Sequence, residues 1–163
     1  MAAPPRNDGV SDRVGCLACD LAAGRLDLPG GLVHEVGGWR VEHCVGPLGV
    51  GTLVVKPCRH VVHVWDLTDA EADALGPLLR RSAQVVAQLV EPDQVYVCLW
   101  SHAGGRPAHI HWVVQPVTNG LMAQVGTHGP GLQLRMFERG EVPPRGRVEA
   151  FATLARERFA ADG

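Results

Sequence analysis

Two histidines stand two residues apart in the stretch Arg106-Pro107-Ala108-His109-Ile110-His111-Trp112-Val113-Val114-Gln115-Pro116. The run is rich in β-branched and aromatic residues, which reads as a strand. Strand alternation sends His109, His111, Val113 and Gln115 to one face. Ile110, Trp112 and Val114 go to the other, toward a core. Two imidazoles on one face are costly to bury without partners or a task. A neutral imidazole can attack a phosphorus centre and carry a covalent group, or act as a general acid or base. It needs a hydrogen bond at its other ring nitrogen to fix the tautomer. His111 is the residue placed in that role. The plainer reading is a half-buried strand histidine bonded to a backbone carbonyl. The histidine pair, the preceding Gly104-Gly105 and the bracketing prolines favour chemistry.

A second set of groups begins at the other end of the chain. Cys16 and Cys19 form a C-x-x-C, two of five cysteines. Two thiols from one turn supply half of a tetrahedral zinc site; a pair of free thiols is the alternative. Two histidines would complete it, and His60, His63, His102, His109 and His128 all qualify by residue type. Ser101, His102, Gly104 and Gly105 form a bend before the histidine strand. Backbone N–H groups at such a bend, with a serine hydroxyl, can hold phosphate oxygens; an ordinary strand connection accounts for it equally well. Lys56 and Arg59 are cations near His60 and read as surface residues. Cys44, Cys58 and Cys98 read as core or edge thiols, and Trp39, Trp65 and Trp112 as core.

The elements that must position these groups follow from pattern. Cys16–Gly24 reads as a knuckle and a short helix stopped by glycine. Residues 32–36 and 39–45, joined by Gly37-Gly38, predict a hairpin. Residues 51–56 predict a third strand, ended by Pro57. Thr68, with Glu71 three residues on, is a capping box for the clearest helix. Its apolar stripe runs through Leu75, Leu78, Leu79, Val85, Val86 and Leu89, and it ends before Pro92. Gly76-Pro77 is a site for a kink. Residues 95–100 predict a fourth strand. The Gly-rich stretch 118–131 reads as a long loop, and 132–138 fits neither period. Residues 148–160 predict a terminal helix. Adjacent strand runs with one long helix between the third and fourth indicate an α+β fold on a largely antiparallel sheet.

The bulk properties narrow the setting. The chain has 163 residues, 46% hydrophobic, with a formal net charge of −2. That suits one domain with a real core, preceded by a polar, Pro-rich lead over 1–14 that is expected to be disordered. The charge gives no footprint for general nucleic-acid or membrane binding. No run approaches the roughly 18 apolar residues of a membrane span. The N-terminus lacks the apolar region of a secretory signal, which points to a cytoplasmic chain.

Several separated pieces together resemble the histidine-triad (HIT) superfamily of nucleotide hydrolases and transferases. Its H-x-H-x-H motif is similar to His109-Ile110-His111-Trp112-Val113, with Val114-Gln115-Pro116 after it. Cys16-Leu17-Ala18-Cys19, with Ala23-Gly24, resembles the N-terminal C-x-x-C of the bacterial branch. Gly51-Thr52-Leu53-Val54-Val55-Lys56-Pro57-Cys58-Arg59-His60, then Asp66-Leu67-Thr68, is similar to the family's G-H-x-L-V-x-P-x-x-H and D-L-T segments.

The resemblance implies a five-stranded antiparallel sheet packed with one long helix and a C-terminal helix, usually in a homodimer. It implies a nucleotide phosphohydrolase or nucleotidyl transferase acting on a phosphoanhydride or phosphoramidate bond. His111 would be the nucleophile, through a covalent His-nucleotidyl intermediate. By the same resemblance a structural Zn2+ would be held by Cys16, Cys19, His60 and His109. The chain departs from the pattern in three places. Val113 stands where the third histidine belongs. Cys44 aligns with the acidic residue that holds ribose hydroxyls. Ser101-His102-Ala103-Gly104-Gly105-Arg106 replaces a run with Asn and Gly-Gln-Ser/Thr. These departures imply an alternative: a catalytically impaired, zinc-stabilised nucleotide-binding module.

Overall fold

The computed structural model describes residues 13–161; the expected lead over 1–14 lies almost wholly outside them. Five strands form one antiparallel sheet in the order β1-β2-β3-β5-β4: β1 Leu32–Val36, β2 Trp39–His43, β3 Leu53–Pro57, β4 Gln94–Ala103 and β5 Arg106–Val117. The β1–β2 hairpin closes through Gly37 and Gly38, whose φ values of 57° and 80° are those of a two-residue turn that matches strand twist.

The helices are α1 Leu17–Ala22, α2 Asp69–Val90, α3 Asn119–Val125, α4 Pro130–Arg139 and α5 Arg145–Ala161. The predicted capping box starts α2. Thr68 Oγ1 accepts from the Glu71 N–H at 3.3 Å, and Glu71 Oε2 accepts from the Thr68 N–H at 2.8 Å. Pro77 lies inside α2 without breaking it; the preceding residue, Gly76, has no Cβ to clash with the proline ring.

The main core lies on one face of the sheet. Trp39, Val41, Leu53, Val55, Ile110, Trp112 and Val114 meet Leu78, Val85 and Val86 of α2 and Phe151, Ala152, Ala155 and Phe159 of α5. Each such Val, Leu, Ile or Phe side chain contributes about 1.5–3 kcal/mol when fully buried. Trp39 keeps its polar end satisfied by donating Nε1–H to the Glu71 carbonyl at 2.8 Å.

Three expectations need correction. The predicted long loop over 118–131 contains α3 and the start of α4. Thr118 caps α3 by accepting from the Leu121 N–H at 3.0 Å, and Pro130 opens α4. The glycines that suggested a loop include Gly126 and Gly129, which sit at the ends of these helices. The two helices are short and enclose a separate small core of Val117, Val125 and Leu132. Trp65 is not core: it is 79% exposed and stacks on His63 at 4.4 Å. Lys56, read as a surface cation, is 1% exposed.

Candidate active site and metal centre

The sheet face opposite the main core carries the polar groups. β5 points His109, His111, Val113 and Gln115 to this side, as alternation requires. α1, β2, β3 and Trp100 and Phe137 enclose a cavity of about 690 Å³ over it. α1 is only six residues long and is held by cations rising from the sheet. Lys56 Nζ donates to the Ala18 carbonyl at 3.0 Å, and Arg40 Nη1 to the Ala22 carbonyl at 3.1 Å. The Ala22 carbonyl is one that the helix C-terminus leaves open, whereas Ala18 lies in the first turn.

At one end of the cavity Cys16, Cys19, His60 and His109 come together. Their ligand atoms, one from each residue, all lie within 4.8 Å of one another. Cys19 Sγ is 3.4 Å from His60 Nδ1 and 3.5 Å from His109 Nδ1; Cys16 Sγ is 3.8 Å from His109 Nδ1. A tetrahedral zinc with Zn–S of about 2.3 Å and Zn–N of about 2.0–2.1 Å separates sulfur from nitrogen by about 3.6 Å, so the donor set fits that ion.

The backbone explains the grouping. The Ile110 N–H donates to the Val61 carbonyl at 2.9 Å, which stitches the segment after β3 to β5 and sets His60 against His109. That segment is pinned from its other side by Arg59. Its guanidinium grips Glu71 through Nε at 2.8 Å and Nη2 at 2.7 Å. His109 Nε2–H donates to the Pro57 carbonyl at 3.0 Å, which leaves the Nδ1 lone pair for a metal. Burial holds the His109 pKa down at about 4, and burial also lowers that of His60. Neutral imidazole is the form a metal takes. His63, His102 and His128 are not members of this cluster.

His111 is arranged the other way round. Its Nδ1–H donates to the His109 carbonyl at 3.1 Å, so Nε2 keeps the lone pair, and the ring lines the cavity. Burial, more than anything else, lowers its pKa below the ordinary 6.5. The imidazole is therefore neutral at pH 7 and competent as a nucleophile or base. Val113, next on this face, is 2% exposed and offers no polar atom.

Of the other expected site residues, His102 and Gly104 line the cavity, whereas Ser101 and Gly105 do not. Ser101, His102 and Ala103 continue β4, and Gly104-Gly105 is a tight turn rather than a wider loop.

The residue reading missed two features. Trp100 pairs with His111 across β4 and β5, with ring centroids 6.5 Å apart. Its Nε1–H donates to Gln133 Oε1 at 3.3 Å, Gln133 Nε2 to Gln115 Oε1 at 3.1 Å, and Gln115 Nε2 to the Leu48 carbonyl at 3.0 Å. Phe137 packs 4.7 Å from Trp100. The only sequence signal was Gln115, a polar residue on the face of the two histidines. The second feature is a buried ion pair of Lys56 with Glu42, both on the cavity wall.

No protein-family model matches this sequence, and no curated protein sequence matches it. Solved structures do match. A HIT-like protein involved in cell-cycle regulation from Bartonella henselae aligns with a TM-score of 0.67 at 13% identity, over 91% of this chain and 98% of its own. A histidine triad nucleotide-binding protein from Sulfolobus tokodaii gives 0.67 at 15% identity, over 90% and 93%. A Zn-bound histidine triad family protein from Mycobacterium smegmatis gives 0.63 at 18%, over 90% and 94%. This chain has the histidine-triad fold. The resemblance carried by its motifs thus extends to the three-dimensional architecture, an α+β domain on a five-stranded antiparallel sheet. Among the described residues no helix is long and apolar enough to cross a membrane.

Proposed function

We propose that the protein is a nucleotide phosphohydrolase or nucleotidyl transferase that works through His111, with a structural zinc at Cys16, Cys19, His60 and His109. The observation that carries this reading is the bond from His111 Nδ1–H to the His109 carbonyl, which leaves the Nε2 lone pair to the cavity. In the first step Nε2 forms a bond to the phosphorus of a bound nucleoside phosphate. The bond from phosphorus to the leaving group breaks, and its electron pair departs with that group, which takes a proton from solvent. In the second step water attacks the phosphorus, the P–N bond breaks with its pair returning to Nε2, and a water proton is released. The bend of Ser101, His102, Gly104 and Gly105 is assigned to the phosphate oxygens, a reading supported by His102 and Gly104 lining the cavity.

A zinc held by Cys16, Cys19, His60 and His109 would be structural, because those four residues would supply a complete tetrahedral set. It would fasten α1 and the His60 segment to β5. A homodimer is part of the same reading: β4 is an edge strand with exposed Val97 and Leu99, and sedimentation at several concentrations tests it.

The decisive experiment is His111→Asn assayed on a nucleoside phosphoramidate and a dinucleoside polyphosphate. Loss of turnover with an unchanged melting curve supports the reading, as does a nucleotidyl adduct on His111 found by mass spectrometry of quenched wild-type reactions. Wild-type activity in the variant overturns it.

A further inference from the structure

Glu42 of β2 and Lys56 of β3 form an ion pair whose side chains are 3% and 2% exposed. Lys56 Nζ donates to Glu42 Oε1 and to the Ala18 carbonyl. An ammonium has three N–H groups, so one remains. Among the described residues Glu42 Oε2 is buried and has no hydrogen-bond partner. Both residues line the cavity that holds His111. Stability does not explain the pair, because well-packed apolar residues of similar volume usually serve as well or better than a buried ion pair. A buried carboxylate oxygen with no partner adds a further cost. What the pair does offer the cavity is a donor beside an acceptor.

Its position says what part of a ligand meets it. The β3–β5 register pairs Val54 with Val113 and Val55 with Trp112, so Lys56 stands opposite His111. Glu42 pairs with Val54 and is one strand further away. Two strand spacings place the Glu42 backbone about 10 Å from β5. A nucleoside 5′-phosphate with its phosphorus at His111 Nε2 reaches across Lys56 toward Glu42, and the base is its most distant part.

We propose that the Glu42–Lys56 pair reads the lactam edge of a nucleobase, a carbonyl next to a ring N–H, as in hypoxanthine, guanine or uracil. The carbonyl accepts from Lys56 and the ring N–H donates to Glu42 Oε2. This rests on the nucleotide reading of the cavity and adds the base class to it. Adenine carries an amino group and a bare ring nitrogen instead, with donor and acceptor in the reverse order along its edge.

The test is calorimetric titration of the full chain with inosine 5′-monophosphate and purine riboside 5′-monophosphate, which differ only in the C6 carbonyl and the N1–H. Inosine 5′-monophosphate is expected to bind at least about tenfold tighter, since a site built to hydrogen-bond a group rejects the analogue lacking it. The Glu42→Met/Lys56→Met double variant replaces the pair by apolar chains and is expected to bind both nucleotides equally. Equal binding of the two by the wild type overturns the proposal, with no variant needed. Discrimination that survives in a folded double variant overturns it as well, as does tighter binding of adenosine 5′-monophosphate than of inosine 5′-monophosphate. If affinity instead depends on the sugar, falling with 2′,3′-dideoxyinosine 5′-monophosphate while the two purines bind alike, the donor is a hydroxyl and the base assignment fails. No binding of any nucleotide overturns the nucleotide reading itself, whereas equal binding leaves that reading standing.

Discussion

His109 and His111 leave the same face of one strand, two residues apart, and their rings are held in opposite senses. His109 gives Nε2–H to the Pro57 carbonyl and turns Nδ1 toward Cys16 and Cys19. His111 gives Nδ1–H to the His109 carbonyl and turns Nε2 to the cavity. One backbone carbonyl per ring therefore decides which nitrogen has a lone pair to use, and so what each residue can do. The surroundings complete the contrast. His109 is closed in by Cys16, Cys19 and His60, a donor set that fits a metal ion. His111 has the cavity on one side and the Trp100 ring on the other, so its nitrogen is open to a ligand.

The contrast is broken most severely at His111. Its replacement by asparagine should lower turnover by at least about 10³-fold, the scale seen when a nucleophile is removed. The thermal midpoint should change little, because the His111 ring makes a single hydrogen bond among the described residues, to the His109 carbonyl. Steady-state assays with melting curves check both halves.

Cys19→Ser tests the other histidine's region and should show the reverse pattern. Zinc content should fall toward zero and stability should drop by about 4 kcal/mol or more, the range associated with loss of a structural metal. Metal analysis and denaturant titration measure this; a variant that keeps full zinc and full stability would remove the structural role assigned to the cluster.

A smaller effect is expected behind Trp100. Gln133→Leu leaves Trp100 Nε1 and Gln115 Oε1 without their partner. An unsatisfied buried group costs about 1–3 kcal/mol, so denaturant stability should fall by that order. KM should rise while zinc content stays unchanged, because the wall of the His111 cavity is loosened and the metal end is not touched.

The smallest effect concerns the segment that carries His60. The Arg59 guanidinium, hydrogen-bonded to Glu71, is the main reason the Glu71 carboxyl lies below its ordinary value of 4.5. A carboxylate with a depressed folded-state pKa adds stability that is present above the unfolded value. That contribution is lost as pH falls through the folded one. Arg59→Met should therefore destabilise by about 1 kcal/mol at pH 7, a modest figure because the arginine is 41% exposed. The gap from wild type should close as the pH is lowered below about 4. A gap that is constant from pH 7 to pH 3 would assign the effect to packing.

Much of the frame was legible because it is written in local pattern. Thr68 and Glu71 announce the start of α2, Gly37-Gly38 the first hairpin, and the 3.6-residue stripe the helix face that meets the sheet. The helices α3 and α4 were not legible, because seven and ten residues give too little periodicity and their boundary glycines resemble a loop. Trp65 and Lys56 were misjudged for one reason. Residue type gives an average burial, and both are exceptions: one stacks on a neighbouring histidine in solvent, the other is neutralised in place by Glu42.

By itself the sequence determined that His109 and His111 share a face, since a strand alternates, and that Cys16 and Cys19 present two thiols from one turn. Family motifs, not spacing, joined His60 and His109 to those thiols. Only the tertiary structure brought the four together, over separations of up to 93 residues. It also decided which ring nitrogen of each histidine faces its task, set Trp100 opposite His111, and buried Lys56 against Glu42. Alternation and capping depend on neighbours a few residues away. Register between strands, and the single carbonyl each imidazole finds, depend on how the whole sheet packs.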